Sequence, residues 1–545
     1  MESERIDGSL FIKMIRGGID NLSLHADEVN DLNVFPIPDG DTGSNMLLTL
    51  QGGETDCENK EIGKVSRKTA NGMLLSARGN SGVILSQFYD GIADGLADKD
   101  YADAEEIADA FLCGVNSAYS AVAEPTEGTI LTVMREASNY AKDKRHENVN
   151  DYLSDFLFKA KETLEATPDM LAVLKKTGVV DSGGAGLIYI IEGAVNALNG
   201  DTSASNTKQN SEFQSNKINF DRFDENSELK FGYCTEVLLR LQNAKTDVEN
   251  FDPDIIKRYL ASVGDSIVCF RTGSIVKIHV HTKTPYKVLE FCQKYGEYLT
   301  VKIENMSLQH NSLPSESKLA EKTERKKFAV VAVTSGEGIK QTFREMGADY
   351  IVEGGQSMNP SADEFIEAFK QVNADVIFVF PNNGNVILAA KQAAKMYSDS
   401  DVRVIESRSV GDCYAVLTML DTDSGNADEI ESEMREAMKG ITTAYVSKCI
   451  RNTEMDGFML HDGQYIGFEG KEIVSADNDR RDTACMLADR LDFNGHEICI
   501  IVRGEDSNEN EAEEIADHIR KSHCDCEVFV IDGGQEIYSY IIIIE

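Results

Sequence analysis

Residues 33–46 read NVFPIPDGDTGSNM. Two prolines and two glycines in so short a run break any regular helix or strand, so the stretch is a stiff, irregular turn. On it sit two carboxylates, Asp39 and Asp41, flanking Gly40, with Asn33, Thr42, Ser44 and Asn45 close by. A hard cation such as Mg²⁺ takes oxygen ligands and favours a few carboxylates together with substrate phosphates. Asp39 and Asp41 are suited to hold such an ion, with the amide oxygen of Asn33 as a third ligand. TGSNM then opens a helix-like run, MLLTLQ, whose first N–H groups, with the Thr42 and Ser44 hydroxyls, would face an anion. An ordinary helix N-cap is the competing reading. It accounts for one Asp and one Ser, but not for two Asp, two Asn and the proline brace.

Three further loops have the same character: ARGNSG (77–82), EGTILT (127–132) and DSGGAG (181–186). Each sets Ser or Thr beside Gly ahead of an apolar run. Between them the pattern is helical, with Ile107, Phe111, Val115, Ala118 and Val122, then Leu187, Ile191, Ala194 and Leu198, at three- and four-residue steps. One Gly-rich turn between helices is weak evidence. Four of them, converging at one end of a bundle, would supply backbone donors to a phosphate without a Walker lysine. The familiar alternatives are absent: there is no GxxxxGK[ST], no GxGxxG after a strand and no GxSxG.

This all-α region is expected to span 1–200. Residues 201–217, DTSASNTKQNSEFQSNK, have the composition of a linker. Residues 218–309 read as an α/β middle domain with strands at TEVLLRL (235–241), SIVCF (266–270) and IVKIHVHT (275–282). A second polar linker covers 310–327. From 328 to 545, apolar strands alternate with helical patterns such as SADEFIEAFKQV, which predicts a parallel α/β sheet. The closing YSYIIIIE reads as a strand running from edge to core. In the middle domain His279 and His281 lie two apart on a strand and leave the same face. Cys234 would complete a Cys-His-His set suited to Zn²⁺, although such an HxH pair is more often solvent-facing.

Of the 545 residues, 93 are acidic and 54 basic, for a formal charge of −39. That argues against nucleic acid or an anionic membrane as main partner, since both need basic surface. A small anion bound through a cation stays open. The start, MESERIDGSLFIKMIRGG, lacks the apolar core of a signal peptide, no stretch is long enough to span a bilayer, and the 11 cysteines include no CxxC. These features predict a chain of the reducing cytoplasm with no integral membrane segment.

In order, DGDTGSNM, ARGNSGV, GTILTV and DSGGAGL resemble the nucleotide-binding subunit of the dihydroxyacetone kinases, the DhaL family. The longer form LNVFPIPDGDTGSNM, with GYCTEV and HVHT downstream, resembles the catalytic subunits of bacterial fatty-acid kinases. The resemblance covers nearly the whole chain and implies three domains: a DhaL-like α-helical barrel, an α/β middle domain and a DegV-like α/β domain. It implies ATP with two Mg²⁺ held by Asp39 and Asp41, and Asn33 near a third ligand. Thr42, Gly43, Ser44, Asn45 and Met46 fall on its phosphate loop, with Ser44 where the family commonly has Thr. Asn80, Ser81, Gly82, Gly128, Thr129, Asp181, Ser182, Gly183 and Gly184 fall on the remaining nucleotide loops. Arg78 is either a phosphate contact or the partner of a surface carboxylate. The trio Cys234, His279 and His281 is implied to bind zinc. The implied activity is ATP-dependent phosphorylation of a fatty-acid carboxylate presented by a separate DegV-like fatty-acid-binding carrier. The C-terminal domain is expected to dock that carrier or to mediate homodimerisation. The alternatives are a dihydroxyacetone-type kinase acting on another small acceptor and a non-catalytic nucleotide- or lipid-binding regulator.

Overall fold

Gly17 and Gly193 set how closely the first and last long helices of the helical domain, α1 (Gly8–Asp31) and α9 (Ser182–Asn199), meet. A Cβ on Gly17 would lie 2.3 Å from the Gly193 carbonyl oxygen, and one on Gly193 2.1 Å from that of Gly17. Only glycine permits this backbone contact. The computed structural model describes residues 5–32, 37, 40–55, 60–199, 233–248, 251, 254–272, 274–305, 325–356, 358–419, 426–524 and 526–545. Residues 1–207 together with 324–545 form one compact unit, and residues 208–323 form another.

In the first unit the chain enters as β1 (Arg5–Asp7), paired antiparallel with β2 (Tyr101–Asp103). Each strand hands over to a capped helix. Asp7 accepts from the Leu10 N–H at the start of α1, and Asp103 with Glu106 forms a capping box at the start of α5 (Ala104–Ala121). The other helices are α2 (Thr42–Gly52), α3 (Ile62–Ser76), α4 (Gly79–Gly95), α6 (Ile130–Lys142), α7 (Val149–Met170) and α8 (Ala172–Thr177). The apolar faces expected from the sequence are buried: Ile107, Phe111, Val115 and Ala118 on α5, Leu187, Ile191 and Ala194 on α9. Phe111 packs edge-on against both Phe88 and Phe156, each at 5.4 Å between centroids, the arrangement that ring quadrupoles favour.

The second unit holds an antiparallel sheet of β3 (Tyr233–Leu241), β4 (Gly264–Thr272), β5 (Ile275–Thr282) and β6 (Gly296–Asn305), in the order β4-β5-β3-β6. Val237, Leu239, Ile278 and Val280 bury one face against Ile256 and Leu260 of α10 (Asp254–Val263) and Val288 of α11 (Pro285–Cys292). Strand β6 follows the three strands foreseen from sequence and pairs with β3.

The C-terminal part begins as expected, with strands and helices alternating: β7 (Lys326–Thr334), α12 (Glu337–Glu345), β8 (Tyr350–Glu353), α13 (Ala362–Val372), β9 (Ala374–Phe380), α14 (Ile387–Met396) and β10 (Asp401–Val404). They make a parallel sheet in the order β10-β9-β7-β8. Since β7 starts at Lys326, the end of the expected linker 310–327 is already strand; residues 201–217 lie outside the described residues.

After α15 (Val410–Met419) and α16 (Ala427–Ala437) the architecture departs from the expected all-parallel sheet. A second sheet joins β11 (Thr442–Lys448), β14 (Tyr465–Glu469), β15 (Glu472–Asp477), β16 (Ile498–Arg503), β17 (Glu527–Asp532) and β18 (Tyr538–Ile544) in the order β15-β14-β11-β18-β16-β17. Only β16 and β17 run parallel. The connection from β14 to β15 is Gly470-Lys471, with Gly470 at φ +58°, and a turn that short joins antiparallel strands alone. The YSYIIII strand is β18, buried between β11 and β16. A hairpin, β12 (Thr453–Met455) with β13 (Phe458–Leu460), and helices α17 (Arg480–Ala488) and α18 (Glu509–Ser522) complete this part.

The helical and C-terminal parts share apolar cores. Ala77 and Val83, at the α3–α4 junction, belong to the same buried cluster as Phe365 and Phe369 of α13 and Ala389 and Ala393 of α14. Ile37, between the two prolines of the opening stretch, is 1% exposed and packs among Cys449, Leu460, Ile466, Phe468 and Ile473. Ile37 is therefore anchored by the C-terminal part, a connection the sequence does not announce.

Candidate functional site

Four helix starts come together in the helical domain. Helix α2 begins at Thr42 and α9 at Ser182, and the Ser182 hydroxyl donates to the Thr42 hydroxyl at 3.3 Å. Helix α4 meets α2 through Gly79, which holds φ +59°, where a Cβ would lie 2.6 Å from Asn45 Nδ2. The Arg78 N–H also donates to Thr49 Oγ1 at 3.3 Å. Helix α6 meets α9 through Asp181, whose carboxylate accepts from the N–H of Gly184 at 2.7 Å and from that of Ile130. The loops singled out at 42–46, 77–82, 127–132 and 181–186 are thus neighbours in space.

Several N–H groups expected to face an anion are used inside the protein. Asn30, near the end of α1, accepts from the Gly43 N–H at 2.8 Å and the Ser44 N–H at 3.2 Å, while its Nδ2 donates to Ser44 Oγ at 3.0 Å. Asn30 therefore caps α2 from outside. Asp41 stands at the N-cap position and makes no side-chain capping bond. Its carboxylate is thus not engaged as the cap of α2. The Gly128 N–H, at φ +79°, donates to Thr132 Oγ1 at 2.8 Å, and Thr129 Oγ1 donates to the Thr126 carbonyl at 2.7 Å. Met46 is fully buried and fills the space beside Gly186, so it is a packing residue. Gly82 lies against Thr49 Oγ1 and Gly183 against Ile130. Ser81 is half-buried in the first turn of α4.

Asp181 titrates unusually. Burial raises its carboxyl to about 6, and the two backbone N–H bonds hold it back from going higher.

The C-terminal part reaches the same place. Asn359, between β8 and α13, donates from Nδ2 to Asp41 Oδ2. Arg78 forms an ion pair with Glu364 at 3.1 Å and donates to the Asn359 carbonyl at 2.9 Å, so of its two readings the structure places it on a carboxylate. Asn80 Nδ2 donates to Asn385 Oδ1 at 3.2 Å. Asn30, Thr49, Ile37 and Asn359 were not foreseen. An Asn near a helix end or in an Asn-Pro turn carries no sequence signal of what it will meet across the fold.

Asn33 and Asp39 lie outside the described residues. So do the side chains of Cys234, His279 and His281, although the backbone register sets Cys234 opposite His281 and Glu236 opposite His279. These positions alternate with the buried Thr235, Val237, Ile278 and Val280. Among the described residues no group of three or more His, Cys, Asp or Glu is placed to hold a metal. A divalent cation nonetheless fits the donors around Asp41: a carboxylate not used as a cap, two neighbouring hydroxyls and a buried amide oxygen of Asn359 that has no hydrogen-bond partner among the described residues. In the C-terminal part, an apolar cavity lined by Ile339, Phe343, Tyr414, Val502, Ile531 and Ile543 holds about 10 Å³, room for about one water and not for an acyl chain. Among the described residues no helix is long and apolar enough to cross a membrane.

Comparison with known proteins gives three family matches: the DAK2 domain over residues 36–196, the FakA-like fatty acid kinase middle domain over 230–313 and the FakA-like fatty acid kinase C-terminal domain over 329–545. An uncharacterized protein of Staphylococcus haemolyticus is 36% identical over 554 residues, covering 99% of this chain and all of its own. Protein YloV of Bacillus subtilis is 36% identical over 565 residues with the same coverage. Among solved structures, a DegV family protein from Thermus thermophilus aligns with 40% of this chain and 99% of its own at 11% identity and a TM-score of 0.32, too weak a likeness to argue from.

Proposed function

Because the chain belongs to the FakA-like fatty acid kinase family, we propose that it transfers the γ-phosphoryl group of ATP to the carboxylate of a fatty acid, giving an acyl phosphate. The observation that carries this reading is the convergence of four Ser/Thr-Gly helix starts around Asp41. In the proposed reaction a carboxylate oxygen forms a bond to the γ-phosphorus while the bond to the β–γ bridging oxygen breaks and ADP leaves. Two Mg²⁺, when bound, would neutralise charge on the phosphates. Asp39 and Asp41, with Asn33, would hold them. The hydroxyls of Thr42 and Ser81 would donate to phosphate oxygens, those of Thr129 and Ser182 would have to exchange their bonds to the Thr126 carbonyl and to Thr42 for a phosphate oxygen, and Asn45 and Gly79 would shape the turn beneath them. A fatty-acid carboxylate is ionised at pH 7, so the acceptor needs no general base, and catalysis rests on positioning and charge.

The acceptor lipid would arrive on a separate DegV-like carrier. The C-terminal domain would dock that carrier or join two copies of the chain. The formal charge of −39 supports a partner other than nucleic acid. Cys234, His279 and His281 would hold a Zn²⁺ in the middle domain.

The test is incubation with labelled ATP, Mg²⁺ and oleate on a DegV-like carrier, with hydroxylamine to trap acyl phosphate as the hydroxamate. Hydroxamate formation supports the proposal. Phosphorylation of dihydroxyacetone in place of oleate, or binding of ATP without turnover of either, would contradict it.

A further inference from the structure

The contacts of Asn359 extend the candidate site beyond the helical domain. Its side chain is 2% exposed, although it sits in the loop between β8 and α13 rather than inside an element. Its Nδ2 donates to Asp41 Oδ2, and its backbone carbonyl accepts from Arg78. Its Oδ1 is buried and has no hydrogen-bond partner among the described residues. Leaving such a group unsatisfied costs free energy unless another partner arrives, so an unpartnered buried oxygen beside a carboxylate marks a place for a ligand. Carboxylate and amide oxygens together are the donors a hard cation takes.

The surroundings hold Asn359 in position. Arg78 is fixed at once by Glu364, on α13, and by the Asn359 carbonyl. Ser361, two residues on, caps α13 in a capping box with Glu364. On the other side of the same turn, Ile37 is buried in the core of the second sheet. Ile37 and Asp41 are thus each held by the C-terminal part.

We propose that Asn359 is a positioning residue of the cation–nucleotide site, supplied by the C-terminal domain: Nδ2 fixes the Asp41 carboxylate, and Oδ1 offers a divalent cation an oxygen. This inference rests on the proposed kinase function and deepens it. Cation–nucleotide affinity then depends on the C-terminal domain being seated, and an event that loosens that domain weakens the site.

The experiment measures Mn²⁺ binding by electron paramagnetic resonance, using the full chain with AMP-PNP, for wild type, Asn359→Ala and Gln392→Ala. Gln392 also bridges the two domains, bonding Gln87 and the Leu74 carbonyl, but does not touch Asp41. Asn359→Ala should weaken Mn²⁺ binding about tenfold, as for loss of a hydrogen bond to a charged group, while Gln392→Ala leaves it within about twofold. Asn359→Asp sets a second carboxylate against Asp41, and its thermal midpoint should rise with added Mn²⁺ more than that of wild type. That readout would not respond to a merely structural role. Wild-type affinity in Asn359→Ala, or equal losses in Asn359→Ala and Gln392→Ala, would overturn this inference alone. Failure of the wild type to bind Mn²⁺ with AMP-PNP would overturn the kinase reading along with it.

Discussion

The Ser182 hydroxyl donates to the Thr42 hydroxyl at 3.3 Å, joining the starts of α9 and α2 across 140 residues of chain. Both hydroxyls are half-buried at the candidate phosphate site, and their bond is a modest one between neutral groups. Thr42→Ala and Ser182→Ala should each lower affinity for Mg²⁺·AMP-PNP about fivefold, corresponding to about 1 kcal/mol, while the unfolding midpoint barely moves. Titration calorimetry checks this. Unchanged affinity in both variants would place the hydroxyls outside the site.

Asp181 predicts a pH dependence. Its folded carboxyl titrates near 6, above the ordinary aspartate value, because it is buried. Between about pH 4 and pH 6 the unfolded chain has released this proton while the folded one retains it. Stability therefore falls as pH rises through that window and levels off above it, by on the order of 3 kcal/mol from this group. Asp181→Asn should flatten that part of the stability–pH curve in denaturant titrations. An unaltered slope would show that Asp181 is not held protonated.

Ile37, four residues before Asp41, packs into the core of the second sheet. Ile37→Ala should cost about 2–4 kcal/mol, as truncation of a buried isoleucine does, and should also weaken nucleotide binding because the turn loses its anchor. Denaturant unfolding and calorimetry on the same preparation measure both. Lost stability with fully retained nucleotide affinity would show that the anchor serves the fold alone.

In the middle domain the register opposes Cys234 to His281. Wild type should carry about one zinc per chain, and Cys234→Ala and His281→Ala should each lower that content sharply, measured by atomic emission on dialysed protein. Zinc-free wild type would remove the metal from the account.

Local chemistry made much of this legible from sequence. Apolar spacing placed α5 and α9, strand–helix alternation placed the parallel sheet, and the repeated Ser/Thr-Gly turns marked four loops that do meet. What stayed hidden depends on contacts between residues far apart in the chain. Asn30 caps α2 in place of Asp41, Asn359 and Ile37 reach the Asp41 turn from either direction, and Arg78 is claimed by Glu364. The antiparallel pairings of the second sheet are not legible because apolar runs such as EICIIVR fix a strand without fixing the direction of its neighbours. Within NVFPIPDGDTGSNM it is Ile37, between the two prolines, that packs into the C-terminal core.

The most direct measurement is phosphoryl transfer from ATP to carrier-bound oleate by wild type, Asp39→Asn and Asp41→Asn, with circular dichroism confirming that each variant is folded. Loss of at least about a thousandfold in turnover in both variants is expected if these carboxylates hold the cations that position and neutralise the phosphates. Turnover at the wild-type rate with both aspartates replaced would contradict the account.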